Sequence, residues 1–288
     1  MGGDENAKNN WEKSADVQNL MKRENLKDQH EVQSYFVKRV EKIINAKGKK
    51  LMGWDEILEG GLPGNAAVMS WRGMQGGIEA ANQKHQVVMT PNDFAYIDFY
   101  QGEVTAEGKV YKGLRMKKTY EFEPLPQGID PKYILGGQAN LWTEQILSLR
   151  SAQYLTWPRS MSIAETLWSP KEKKNWQNFS GKVEKQFEIL DALNIKHAKS
   201  MYDPIVTTTS NTKGELIAKM EGEVDNLKFY YSIDESLPDQ FSDEYKGAFV
   251  VPSDVTILRV ISYRNGKPIG KMLHIPMESL LSRAVKTL

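Results

Sequence analysis

The chain has 288 residues, of which 40% are hydrophobic and 26% are charged, and its formal net charge is +1. This length suits one large globular domain or two smaller ones, and the near-neutral charge excludes the basic footprint of nucleic-acid-binding and membrane-surface proteins. The sequence contains no Cys, which excludes a disulfide framework and a thiolate metal site, and no apolar run approaches the ~20 residues that a membrane-spanning helix needs.

The chain opens with an apolar residue, two glycines and two adjacent carboxylates, Met1-Gly2-Gly3-Asp4-Glu5. We predict a short buried strand that ends in a turn, because side chains alternate faces along a strand and adjacent carboxylates share a cleft only where the strand stops. The glycines let the backbone bend and approach a ligand closely. Neighbouring carboxyls can hold different protonation states, since like charges separate their pKa values. A solvated acidic turn is the alternative interpretation.

Short apolar segments then alternate with helical ones as far as residue 193. Apolar residues at i, i+3 and i+4 spacing predict a helix over residues 28–47, which Asp28 caps and Gly48 ends. Further helices are predicted over residues 76–84, 146–167 and 171–193, and strands over residues 49–54, 66–71, 86–89 and 134–138. Residues 101–131 are predicted to form an insertion. Such alternation favours βαβ units and a parallel sheet.

Polar and aromatic clusters follow the predicted strands at Asp4-Glu5, Trp54-Asp55-Glu56, Trp71-Arg72 and Trp142-Thr143-Glu144. In a (β/α)₈ barrel the functional residues lie at the C-terminal ends of the strands. We therefore predict an α/β fold, with residues 1–200 forming the C-terminal portion of such a barrel, about five of its eight strands. The seven Trp and twelve Tyr suit a sugar-binding cleft, and core packing is the alternative role for each.

Short β-rich runs separated by turn residues replace this alternation from about residue 205. Asn265-Gly266 is a strong signal for a two-residue hairpin. We predict a small all-β sandwich over residues 205–288. Its aromatic residues Tyr230, Tyr231 and Tyr263 suit either a sugar platform or the core, and strand aromatics more often belong to the core.

With these clusters identified, the chain resembles the family 20 glycoside hydrolases, the β-N-acetylhexosaminidases. The matching motifs are Gly2-Gly3-Asp4-Glu5, Gly53-Trp54-Asp55-Glu56, Ser70-Trp71-Arg72-Gly73, Tyr96-Ile97-Asp98, Asn140-Leu141-Trp142-Thr143-Glu144, Arg159-Ser160-Met161-Ser162-Ile163-Ala164-Glu165 and Trp168-Ser169. The similarity covers residues 1 to about 195, and the β tail resembles a C-terminal module of some bacterial members. In that family the first motif closes the fourth barrel strand, so the resemblance implies a chain that starts partway through the barrel. An Arg on the first strand, and a His and an Asp before the motif, have no counterpart here. A signal for the periplasm, cell surface or secretion would then lie upstream.

The resemblance implies retaining hydrolysis in which the 2-acetamido carbonyl of the substrate attacks the anomeric carbon and forms an oxazolinium intermediate. By this resemblance Glu5 is the general acid and later the base for water, and Asp4 orients the acetamido group and stabilises its developing charge. Tyr96 donates its hydroxyl to the acetamido oxygen.

The remaining site residues follow from the same resemblance. An apolar wall around the N-acetyl sugar is expected from the three indoles of Trp54, Trp71 and Trp142. Asp98 and Glu144 are expected to accept hydrogen bonds from sugar hydroxyls. Asp55 and Glu56 brace the loop after Trp54, and the helix over residues 159–165 supports the barrel.

The implied substrate is an oligosaccharide or glycoconjugate that ends in β-linked N-acetylglucosamine or N-acetylgalactosamine. No cofactor is implied, and the four His residues are scattered without ligand spacing, so no metal is predicted. The resemblance implies an enzyme, a β-N-acetylhexosaminidase, and the incomplete barrel is expected to have reduced or no activity. A non-catalytic carbohydrate-binding fragment is the alternative from another functional class, because a partial barrel exposes sheet edges. Such edges would also favour self-association. No nucleic-acid partner and no membrane-spanning segment are predicted.

Overall fold

The computed structural model of the chain describes residues 1–108 and 111–286, which belong to two units. The first unit contains Met1–Tyr96 and Phe122–Asn140, and the second contains Ile97–Glu121 and Leu141–Leu288. Each unit is described by itself below. The domain boundary predicted at residues 200–205 stays a prediction, and residues 287–288 of the predicted β domain lie outside the described part.

A parallel sheet organises the first unit. Its strands are β1 (Met52–Trp54), β2 (Ala67–Ser70), β3 (Val87–Met89) and β4 (Ile134–Gly137). They lie side by side in chain order, and each neighbouring pair is parallel. Val68, Val87 and Met89 have no exposed surface, so the sheet forms the core of this unit. This mixed α/β architecture agrees with the predicted partial barrel.

The predicted strand over residues 1–5 is wrong, and among the described residues the parallel sheet of the first unit has four strands instead of five. Met1, Gly2, Asp4 and Glu5 are exposed, and no strand is assigned to this segment. The backbone N–H of Trp54 donates to the carbonyl of Gly2 at 3.0 Å, but no ladder register extends from it within the described residues. Gly3 and Glu5 have positive φ angles of 92° and 50°, which are incompatible with an extended strand.

Helices of the first unit are α1 (Ala15–Glu24), α2 (Gln29–Asn45), α3 (Gln75–Asn82) and α4 (Asn92–Ala95). The prediction of α2 is confirmed, because the carboxylate of Asp28 accepts a 2.9 Å hydrogen bond from the backbone N–H of Glu31. Helix α1 was not predicted; none of its residues is buried, although Val17, Leu20 and Met21 are half-buried at i, i+3 and i+4 spacing. The apolar spacing that predicted α2 includes Phe36 and Ile43, but these two side chains are exposed and line a groove of about 840 Å³ within this unit.

Helices of the second unit are α5 (Val104–Glu107), α6 (Met116–Tyr120), α7 (Leu149–Thr156), α8 (Arg159–Trp168), α9 (Trp176–Ala192) and α10 (Met277–Ser282). The single helix predicted over residues 146–167 is wrong. It is two helices, because Pro158 has no N–H to donate and disfavours helical geometry at the preceding residue. The helix predicted from residue 171 begins instead after Asn175, whose side chain accepts from the N–H of Asn178.

Among the described residues of the second unit, eight strands form two four-stranded sheets. They are β5 (Ile205–Ser210), β6 (Leu216–Glu221), β7 (Lys228–Ser232), β8 (Asp243–Glu244), β9 (Phe249–Val251), β10 (Ile257–Arg264), β11 (Lys267–Pro276) and β12 (Val285–Lys286). The sheet orders are β11-β10-β7-β8 and β12-β5-β6-β9. The predicted hairpin between β10 and β11 is confirmed, with φ angles of 52° at Asn265 and 71° at Gly266.

One hydrophobic cluster contains residues of both sheets, among them Met220 of β6 and Leu258 of β10. Tyr263 is buried, and the ring of Tyr231 stacks on Phe249 with 4.5 Å between centroids. These contacts favour the core role for the tyrosines of this region over an exposed sugar platform.

Candidate active site

The turn that carries Asp4 and Glu5 depends on two glycines. Gly3 has a φ of +92°, and a Cβ added there would lie 2.6 Å from Cγ2 of Ile57. A Cβ added at Gly2 would lie 2.6 Å from Oδ1 of Asp4 and 3.9 Å from Cδ1 of Trp54. The Asp4 carboxylate and the Trp54 indole therefore approach the same small residue. The turn leaves the side chains of Asp4 and Glu5 exposed to solvent, where a ligand can reach them.

Two buried carboxylates hold Trp71, which follows β2. Asp55 accepts from the backbone N–H groups of Trp71 and Arg72 at 3.0 and 3.1 Å. Glu56 accepts the indole N–H of Trp71, with its two oxygens 2.9 and 3.2 Å from Nε1. Asp55 and Glu56 were predicted to brace the loop after Trp54. In the structure they hold Trp71, at the end of the neighbouring strand.

Arg72 compensates the charge of this carboxylate pair. Its Nε lies 2.6 Å from Oδ1 of Asp55 and 3.6 Å from Oε1 of Glu56. Burial, together with the charge of Asp55, keeps the pKa of Glu56 above its ordinary value, although the indole hydrogen bond and the charge of Arg72 oppose this shift. An ionised Glu56 is the better acceptor for the indole N–H, so the position of Trp71 is tied to the ionisation of Glu56.

Tyr96 packs against Trp71 at the same end of the sheet. The two rings stack with 6.1 Å between their centroids and an angle of 20° between their planes. Tyr96 forms a parallel bridge with Asn140, whose backbone N–H donates to the carbonyl of Ala95 at 2.8 Å. The side-chain amide of Asn140 donates to Oγ1 of Thr90 at 2.7 Å. The carboxyl ends of parallel strands meet at one edge of a sheet, which explains why residues far apart in sequence meet here.

The second unit contains the remaining predicted site residues around Asp98. This side chain is 2% exposed, and its Oδ1 has no hydrogen-bond partner in the part of the chain that the structure describes. Burial raises the pKa of Asp98 to about 6, and the charge of Glu144 raises it further. The charge of Arg159 and a hydrogen bond from the backbone of Trp142 act in the opposite direction and lower this pKa. Asp98, Trp142 and Glu144 therefore lie near one another, and the latter two are exposed.

The structure thus brings the predicted site residues together in two sets. The first unit assembles Asp4 with Trp54, and Trp71 with Tyr96, and the second assembles Asp98 with Trp142 and Glu144. Convergence of all eight residues, Glu5 included, on one pocket stays a prediction. Within residues 1–108 and 111–286 no group of three or more His, Asp or Glu side chains is arranged to hold a metal ion. In the same residues no helix has the length and apolar character needed to cross a bilayer.

The comparison with known families decides the assignment. Residues 1–171 match the family described as glycosyl hydrolase family 20, catalytic domain. The chain belongs to glycosyl hydrolase family 20. The match begins at the turn of Asp4 and Glu5 and includes every strand of the parallel sheet.

The regions that match relatives in family 20 make up most of this chain but only about a third of each relative. A β-hexosaminidase of Porphyromonas gingivalis is 36% identical over 282 residues, which are 94% of this chain and 35% of that protein. An exo β-N-acetylglucosaminidase of Vibrio harveyi, solved in complex with N-acetylglucosamine, superposes with a TM-score of 0.62 and 28% identity over 69% of this chain and 32% of that one. A chitobiase of Flavobacterium johnsoniae superposes with a TM-score of 0.58 and 32% identity, over 68% of this chain and 29% of that one. The chain therefore spans about a third of the length of these family 20 proteins.

Sequence reasoning missed two features of this family 20 chain. The charge of Arg159 acts on Asp98, although 61 positions separate the two residues. The Nζ of Lys271 in β11 lies 2.8 Å from the hydroxyl of Tyr154 and 3.4 Å from Oε1 of Glu107. No spacing rule links residues that lie this far apart in the sequence. The one available signal was Arg159 itself, a charged residue within the apolar pattern of a helix.

Proposed function

We propose that this chain carries catalytic machinery of a retaining β-N-acetylhexosaminidase, which releases terminal N-acetylhexosamine from β-linked glycans. The observation that carries the proposal is the exposed pair of Asp4 and Glu5 on a glycine turn beside Trp54, within the segment that matches the catalytic domain of family 20. Two carboxylates next to an indole offer an acid, an orienting base and an apolar wall for a sugar.

The first chemical step forms a ring within the substrate. The acetamido carbonyl oxygen attacks the anomeric carbon while the bond to the leaving oxygen breaks, and Glu5 transfers its proton to that oxygen. Asp4 accepts the hydrogen bond of the acetamido N–H and stabilises the positive charge that develops on the oxazolinium. The hydroxyl of Tyr96 donates to the acetamido oxygen and aims it at the anomeric carbon.

The second step restores the acetamido group. Glu5, now a carboxylate, takes a proton from water, whose oxygen attacks the anomeric carbon as the oxazolinium ring opens. Two inversions at this carbon give a product with the starting configuration. Trp54, Trp71 and Trp142 act as apolar walls that exclude competing water, and Asp98 and Glu144 accept hydrogen bonds from sugar hydroxyls.

The β-rich residues 205–288 are proposed to form a sandwich module attached to the catalytic residues 1–200. Residues of both sheets share one hydrophobic cluster, which supports a core of its own. Arg283, which follows α10, donates to both carboxylate oxygens of Glu103 at 3.0 Å, so an ion pair ties this end of the β-rich region to Ile97–Glu121. The unfolding of this region is the test: two transitions, one for each module, are expected in calorimetry, and one shared transition would contradict separate folding.

Hydrolysis of chromogenic N-acetylglucosaminides by the 288-residue chain tests the proposed function. Glu5→Gln removes the acid, and we expect a rate lower by ~10²–10⁴ for a poor leaving group and a smaller loss for a nitrophenolate, which needs little protonation. Glu12→Gln, which changes an exposed carboxylate outside the site, is the matched control. Equal losses for both leaving groups would remove Glu5 from the acid role.

The nature of the nucleophile has its own test. Successive fluorine substitution of the acetyl methyl group makes the carbonyl oxygen a weaker nucleophile, so the rate of this chain should fall steeply with each fluorine. A carboxylate of the protein as nucleophile would leave the rate nearly constant. If turnover is too slow to follow, saturation-transfer NMR with N-acetylglucosamine measures binding alone, and loss of that signal in Trp54→Ala supports the sugar pocket.

A further inference from the structure

Arg159 is a fully buried cation at the start of α8. Its side chain has no exposed surface, and its guanidinium donates to the backbone carbonyls of Leu114 at 2.9 Å, Leu155 at 2.9 Å and Ile97 at 2.5 Å. Burying an ion is costly unless charge and hydrogen bonds compensate it. Three carbonyl groups supply the hydrogen bonds, and the compensating negative charge comes from elsewhere.

The charges that face Arg159 come from several elements of the second unit. Burial lowers the pKa of Arg159 to about 10, while the carboxylate charges of Glu107, Asp98 and Glu223 favour the protonated form. The guanidinium therefore stays charged across the working range of an enzyme.

Asp98 is the one of these neighbours that belongs to the proposed site. It directly follows Ile97, whose carbonyl Arg159 binds, so the same side chain fixes the backbone next to Asp98 and places a positive charge near its carboxylate. Oδ1 of Asp98 is buried without a partner among the described residues. An orphaned acceptor of this kind suits a ligand that supplies a hydroxyl donor.

We propose that Arg159 is a positioning residue for Asp98: it fixes the carbonyl of Ile97 and holds the Asp98 carboxylate ionised, as an acceptor for a substrate hydroxyl. Only the identity of the substrate rests on the proposed function. Without the cation, the buried carboxyl would keep its proton to a higher pH and present an O–H donor in place of an acceptor.

NMR titration of the Asp98 side-chain carboxyl in the whole chain, without sugar, tests this positioning. We expect a titration midpoint near pH 6 in the wild type and a rise of at least about one pH unit in Arg159→Gln, a tenfold change in proton affinity. Asp203 is an internal control, because burial also raises its pKa to about 6 but the cations that act on it are Arg115 and Lys271. Glu107 faces both Arg159 and Asp203, so the Asp203 midpoint should move much less than that of Asp98.

A second variant separates electrostatics from loss of packing. Thr166→Val removes another buried hydrogen bond from α8 to a backbone carbonyl, that of Thr166 Oγ1 to Tyr120, and should leave the Asp98 midpoint unchanged. If Arg159→Gln does not fold, Arg159→Met, which is uncharged like the Gln variant, replaces it, and the Asp98 midpoint should still rise. Because Arg159→Lys keeps a cation, its Asp98 midpoint should stay close to that of the wild type.

The proposal is overturned if the Asp98 midpoint stays constant in the uncharged Arg159 variant, or if Asp98 and Asp203 shift by equal amounts in it. Sugar binding is then measured at pH 5 and pH 7. If the Asp98 midpoint shifts in the Arg159 variant but Asp98→Asn leaves the sugar affinity unchanged, Arg159 positions Asp98 as proposed. The proposed contact between Asp98 and the sugar would then be refuted.

Discussion

The carboxylate of Glu56 should determine how rigidly Trp71 is held. Its two oxygens lie 2.9 and 3.2 Å from the indole Nε1, and the Glu56 side chain is buried. A hydrogen bond to a charged acceptor contributes about 1.5–3 kcal/mol, and Glu56→Leu would also leave the indole N–H without this acceptor. Glu56→Gln keeps one carbonyl oxygen as an acceptor and should lose less.

Indole N–H exchange measured by NMR reports this contact directly. A loss of about 1.5–3 kcal/mol corresponds to exchange of the Trp71 indole that is about 10- to 150-fold faster in Glu56→Leu. Trp71→Phe assigns the resonance among the seven Trp. Glu79→Leu changes an exposed carboxylate on α3 and serves as the matched control. Unchanged exchange in Glu56→Leu would show that stacking on Tyr96, and not the carboxylate, holds the ring.

Two further changes test the turn and the buried acids. Gly3→Ala places a Cβ at a φ of +92° and 2.6 Å from Cγ2 of Ile57. It should lower the free energy of unfolding, measured in urea titrations, by at least about 1 kcal/mol. Gly64→Ala is the control and should leave this free energy unchanged, because its Cβ meets no atom within 4 Å. Asp203→Asn should stabilise the chain by up to about 3 kcal/mol at pH 8 and by little at pH 4. Burial raises the pKa of Asp203 to about 6, so the stability of the wild type falls as the pH rises from about 4 to 6 and this carboxyl loses its proton. The amide oxygen can still accept the 2.6 Å hydrogen bond from the backbone N–H of Lys271, and an equal effect at both pH values would contradict the assignment.

Local patterns were sufficient wherever a residue acts on its own backbone. Asp28 caps α2 through a hydrogen bond three residues away, and Asn265-Gly266 adopts the positive φ angles that a tight hairpin requires. The strand ends were also predictable, because short apolar runs stop at polar or aromatic residues. Local reasoning failed at residues 1–5, where two glycines and two acids fit a strand end and an exposed turn equally well.

By itself the sequence determined the family, the parallel direction of the central strands and the chemistry available at their ends, because these depend on residue types at short spacings. Only the tertiary structure decided which groups meet. Glu56 binds the indole of Trp71, Arg159 acts on Asp98, and Lys271 reaches Glu107 across 164 positions. A buried charge must find its partner wherever the fold places one, since the free energy of burial depends on distance in space and not on separation along the chain.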